Sequence, residues 1–122
     1  MNSESVLDIF REITRIPRES GHEEKMIEFL QKFAAEHNLA CKTDATGNVV
    51  ITKEATPGKE NVPAIALQSH QDMVCEKTAG SNHDFTKDPI NYVIKDGWMI
   101  AEETTLGADD GIGVAATLAL LA

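Results

Sequence analysis

Val62-Pro63-Ala64-Ile65-Ala66-Leu67-Gln68-Ser69-His70 is the stretch on which the fold turns. Its first half runs without a polar break, and polar residues follow at once. A short apolar run of this kind suits a strand covered on both faces, as in a parallel sheet. His70 then falls at the carboxyl end of that strand, where open α/β sheets place ligand sites. The expected class is therefore α/β, a mostly parallel sheet flanked by helices.

The flanking sequence supplies the other layers. Upstream, Val6, Ile9, Phe10, Ile13 and Ile16 recur at helical spacing among charged residues, and Pro17 ends the pattern. Ser20 followed three residues on by Glu23 has capping-box spacing and predicts the start of a second helix. Met26, Ile27, Leu30, Phe33 and Ala34 form its apolar stripe, and Asn38 suits its end. Residues 40–44 and 48–53 read as short strands around Ala45-Thr46-Gly47, with a polar loop at 54–61. Downstream, 75–88 has loop composition. Residues 90–95 and 98–101 predict a hairpin through Asp96-Gly97, with Tyr92 and Trp98 as its packing aromatics. Residues 112–122 are apolar and small, which predicts a buried helix.

Composition narrows the function. The chain has 122 residues, 42% hydrophobic and 25% charged, which suits one globular domain. Eleven basic against 20 acidic residues give a net charge of −9, which disfavours phosphate backbones and so nucleic acid as a partner. Two cysteines are too few for a disulfide framework. The charged first twenty residues do not suit a secretory leader, and no apolar run is long enough for a membrane span. A cytoplasmic location with no membrane partner is the expectation.

Two short motifs could carry chemistry. In His70-Gln71-Asp72, an imidazole can bind a metal through one nitrogen while the acid holds the other. Alone, the pattern is equally met by a structural His–Asp pair. In Gly107-Ala108-Asp109-Asp110-Gly111-Ile112-Gly113, adjacent carboxylates repel unless a cation uses them. The same residues also suit a turn with acids at a helix N-terminus. They are no phosphate loop, since Gly-Lys-Ser/Thr is missing, and Gly-x-Ser-x-Gly is absent as well. His22 and His37 read as solvent-facing, His83 as bonded within its loop, and Cys41 and Cys75 as unreactive thiols. Glu102-Glu103 read as solvated turn acids, and Glu23-Glu24 as acids favoured by the helix dipole.

Taken together, three segments resemble the aminoacyl-histidine (Xaa-His) dipeptidases of the di-zinc exopeptidase clan. They are Leu67-Gln68-Ser69-His70-Gln71-Asp72-Met73-Val74, His83-Asp84-Phe85-Thr86-Lys87-Asp88-Pro89-Ile90, and Thr104 through Gly113. The resemblance implies that the chain is the N-terminal part of a catalytic domain, with the later catalytic and lid or dimerisation regions lying beyond residue 122. It implies His70 as a ligand of one zinc, Asp109 as the carboxylate bridging two zincs, and Asp72 as the acid that orients His70. It also implies a cis peptide after Asp109. Two Zn²⁺ per complete site are implied, a role Co²⁺ or Mn²⁺ could fill, with a small peptide as substrate and room for a homodimer in the longer enzyme. The family's base and remaining ligands are expected after Asp109, so the chain alone is expected to be inactive. A tripeptide aminopeptidase or an N-acyl amino acid deacylase of the same clan is the nearest alternative. A non-catalytic remnant or acidic binding module is the alternative from another class.

Overall fold

The computed structural model describes residues 2–122. Its elements run α1 (Ser3–Ile13), α2 (Glu24–Glu36), β1 (Ala40–Thr43), β2 (Val49–Thr52), β3 (Tyr92–Lys95), β4 (Trp98–Ala101) and α3 (Ala108–Leu121).

The first helix opens with a reciprocal cap. The Asn2 side chain accepts from the Ser5 amide at 2.9 Å, and the Ser5 hydroxyl accepts from the Asn2 amide at 3.0 Å. It closes at Ile13, earlier than the apolar spacing through Ile16 predicts. The residue before a proline disfavours helical backbone, and the Thr14 hydroxyl donates to the Arg11 carbonyl at 2.6 Å. The second helix starts at Glu24, without a side-chain cap. Ser20 is therefore not its cap, because Gly21 takes a left-handed φ of 87° and the Ser20 hydroxyl is used elsewhere. At its far end Asn38 turns left-handed, φ 56°. The Leu39 amide then reaches the Ala34 carbonyl at 2.8 Å and the Asn38 amide the Ala35 carbonyl at 3.2 Å, which satisfies the last carbonyls of the helix.

Both predicted strand pairs form, each as a two-stranded antiparallel ribbon. In the first, Ala40 pairs with Thr52 and Thr43 with Val49. One Asp44 carboxylate oxygen accepts from the amides of Thr46, Gly47 and Asn48, which fixes the turn. In the second, Tyr92 pairs with Ala101 and Lys95 with Trp98, through Asp96 and Gly97 at φ 53° and 80°. Both turn residues are left-handed, as a two-residue hairpin turn of this type requires. Trp98 packs less than expected. It stands 71% exposed, while Tyr92 is half-buried.

The expected parallel sheet is not formed among the described residues. Residues 62–70 belong to no ladder, and Ile65 is 84% exposed. The reason is one of partners. Each ribbon pairs within itself, so the central run has no neighbouring strand to bond. The only parallel pairing recorded for described residues is a single bridge between Glu19 and Met73.

The core is helical. Phe10 and Ile13 of α1 meet Met26, Leu30 and Phe33 of α2 and Val114, Ala115 and Leu118 of α3. Helix α3 is buried on one face only, since Ile112 and Leu120 remain exposed. No helix of the described residues is long and apolar enough to cross a membrane.

Candidate functional site

The two sequence motifs meet. The His70 Nε2 lies 3.0 Å from the Asp109 Oδ1, across 39 residues of chain. Its Nδ1 lies 3.0 Å from the Asp72 Oδ1. Each ring nitrogen thus faces a carboxylate oxygen. Both contacts are hydrogen bonds only when the ring is protonated, since ionised carboxylates accept and do not donate. The Asp109 contact first, and the Asp72 contact after it, raise the His70 pKa above the ordinary imidazole value. Asp72 in turn is held below the ordinary carboxylate range, chiefly by the hydroxyl of Ser20, which donates to its Oδ2.

Local structure explains how Asp109 is presented. Gly107 adopts a left-handed φ of 79°, and the Asp109–Asp110 peptide is cis. The two acids diverge. Asp109 projects into solvent, its side chain 96% exposed. Asp110 folds back, and its Oδ1 accepts from the Gly113 amide at 3.2 Å, capping the first regular turn of α3.

The donor geometry fits a shared ion in part. Ligand bonds of 2.0–2.1 Å at tetrahedral angles put adjacent donor atoms about 3.3 Å apart, close to the 3.0 Å between His70 Nε2 and Asp109 Oδ1. Asp72 is placed to take the Nδ1–H and leave Nε2 free for a metal. Two donors are fewer than the three protein ligands a catalytic zinc takes. Among the described residues no group of three or more His, Cys, Asp or Glu side chains is placed to hold an ion.

The remaining candidates lie apart from this pair. His22 and His37 are exposed, with His37 stacked on Phe33. His83 is bonded within its loop through its backbone, its amide donating to the Ser81 hydroxyl at 3.2 Å and its carbonyl accepting from Lys77 at 2.7 Å, while the ring tilts against Phe85 with its buried Nε2 unpartnered. Cys75 is half-buried, and burial pushes its thiol pKa up, away from reactivity. Glu102 and Glu103 are exposed. A concavity of about 770 Å³ lies between Thr14, Arg15, Ile90, Tyr92 and Glu102, and neither His70 nor Asp109 lines it.

Two residues of the α1–α2 connection escaped the sequence reading. One is Ser20, through its bond to Asp72. The other is Arg18, buried to 1% exposure. Its Nη1 donates to the carbonyls of Gln71 at 3.1 Å and Asp72 at 3.2 Å, and its Nη2 to the carbonyl of Gly107 at 2.5 Å. Burial lowers its pKa, against the opposing pull of Cys75, Asp72 and Asp110. An arginine beside a proline gives no local signal of such contacts, because its partners lie 53 to 89 residues away.

No family model matches the chain. The cytosol non-specific dipeptidase of Escherichia coli is 45% identical over all 122 residues. The crystal structure of aminoacylhistidine dipeptidase from Vibrio alginolyticus is 44% identical and superposes over the whole chain with a TM-score of 0.94. A tripeptidase structure from Staphylococcus aureus is 28% identical, covers 99% of the chain and superposes at 0.80. The chain spans 25% of the length of the first two relatives and 32% of the third. In sequence and fold, therefore, the chain is similar to a cytosol non-specific dipeptidase and to an aminoacylhistidine dipeptidase, over about a quarter of the length of each.

Proposed function

We propose that the chain supplies the first part of the catalytic domain of a metal-dependent dipeptidase acting on Xaa-His dipeptides. The observation that carries this is the convergence of His70 Nε2 and Asp109 Oδ1 at 3.0 Å, with Asp72 behind the imidazole. His70 and Asp109 would hold Zn²⁺, with Co²⁺ or Mn²⁺ as chemically suitable substitutes. The bound metal supplies a water of lowered pKa and charge for the developing oxyanion. Asp72 takes the Nδ1–H of His70, and that hydrogen bond fixes the tautomer that presents Nε2. Ser20 holds the second oxygen of Asp72 and so fixes the carboxylate's direction.

The further ligands and the base that takes the water's proton would come from the remainder of a chain the length of its relatives. The strands that complete a parallel sheet around residues 62–70 would come from there too. The name of the Escherichia coli relative supports a cytoplasmic location. The tripeptidase alternative has the weaker support, at 28% identity against 44% and 45%.

Calorimetric titration of Zn²⁺ into the parent chain and into His70→Ala tests the ligand assignment. The variant is expected to bind at least about tenfold more weakly, in line with the loss of a donor from a partial site. Indistinguishable isotherms would count against His70 as a ligand. The 122-residue chain alone is expected to show no appreciable hydrolysis of Xaa-His dipeptides. Robust hydrolysis lost on chelation would overturn the need for further ligands.

A further inference from the structure

We propose that Arg18 is a positioning residue that holds the two halves of the candidate metal pair at binding distance. The inference rests on the reading of His70 and Asp109 as metal ligands, and deepens it.

The guanidinium reaches two separate segments at once. One edge holds the carbonyls of Gln71 and Asp72, directly after His70, and the other holds the carbonyl of Gly107, two residues before Asp109. The backbone adds a further tie, since the Met73 amide donates to the Arg18 carbonyl at 2.9 Å. The protein also keeps room for the group. A Cβ at Gly107 would lie 2.5 Å from Arg18 Nη2, and one at Gly111 would lie 2.7 Å from it. Two of the three glycines of the acidic turn thus leave room for the arginine, and they also leave room for Met73 at Gly107 and for Phe10 at Gly111.

Stability alone does not account for this residue. Among the described residues Arg18 is the one charged side chain that is buried. Its hydrogen-bond partners are neutral carbonyls, and its Nε is buried with no partner. Burying a charge without a paired carboxylate is costly, and an apolar side chain of similar volume is often as stabilising or more so. What an apolar residue cannot do is set the spacing of two carbonyl groups from different segments. A planar guanidinium does so through its rigid fork, and a lysine ammonium, a single point donor, does not.

The test uses Arg18→Met and Arg18→Lys in the 122-residue chain, with two readouts. The first is independent of metal: nuclear Overhauser cross-peaks between the His70 ring and the Asp109 side chain, recorded without zinc. They are expected in the parent and lost in Arg18→Met. Met26→Ala, a core change away from the site, is expected to keep them while lowering the melting temperature. The second is Zn²⁺ titration. Arg18→Met is expected to weaken binding about 10- to 100-fold, the range for losing groups that orient ligands. In that background the effects of His70→Ala and Asp109→Ala should become additive, whereas in the parent they should not. Arg18→Lys is expected to recover little, and it carries the test if Arg18→Met loses its cooperative melt.

Cross-peaks and non-additivity that survive in a folded Arg18 variant would overturn the positioning role. A parent that shows no His70-dependent zinc binding, while the cross-peaks follow Arg18, would sink the metal reading and leave the positioning role standing.

Discussion

At the residue scale, the imidazole of His70 is the informative group. Its pKa is raised because two carboxylates accept from the protonated ring, with Asp109 the stronger influence. The stability this group contributes is present below the ordinary histidine pKa and is lost as pH rises through its higher native value. In metal-free protein, a proton NMR titration should show His70 titrating above ordinary histidine, and Asp109→Asn should bring it back down. An unchanged midpoint in Asp109→Asn would remove the main cause assigned here. Zinc, if it takes Nε2, must displace that proton, so binding should weaken as pH falls. His70, Asp72 and Asp109 were singled out through the resemblance of the joined motifs, since each motif alone fits a structural reading; the structure brings the three side chains together. Arg18 and Ser20 were not legible, since their meaning lies in partners more than fifty residues away.

At the element scale, the helices carry the core. The fully buried Phe10 packs among side chains of all three helices. Phe10→Ala should cost about 3–5 kcal/mol, read from urea denaturation, because the cavity left against α3 cannot collapse around a regular helix. A loss below about 1 kcal/mol would mean that α1 is not anchored as described. The helical periodicity of 6–13 and 26–34 and the Asp96-Gly97 turn were readable from sequence, since local patterning and local turn chemistry decide them. The start of α2 was misjudged for the opposite reason. Ser20 had a capping spacing, but a distant carboxylate competed for its hydroxyl and won.

At the scale of the whole molecule, residues 62–70 are the exposed seam. They have the composition of a central strand but neither neighbour of one, and Val62, Ile65 and Leu67 face water. Extended apolar backbone with open hydrogen-bonding groups invites pairing with another strand. Sedimentation velocity should therefore show association that grows with concentration, and Ile65→Lys should reduce it. A monomer at all concentrations would show that the seam is masked in some other way. Sequence could announce this strand's apolar character but not its isolation, because strand pairing depends on what lies alongside. The hairpin offers an independent view of the same question. Trp98, the single tryptophan, points outward from it. Tryptophan emission from this chain thus comes from one indole largely open to water, and any polypeptide that settles over the hairpin will announce itself as a shift of that light toward the blue.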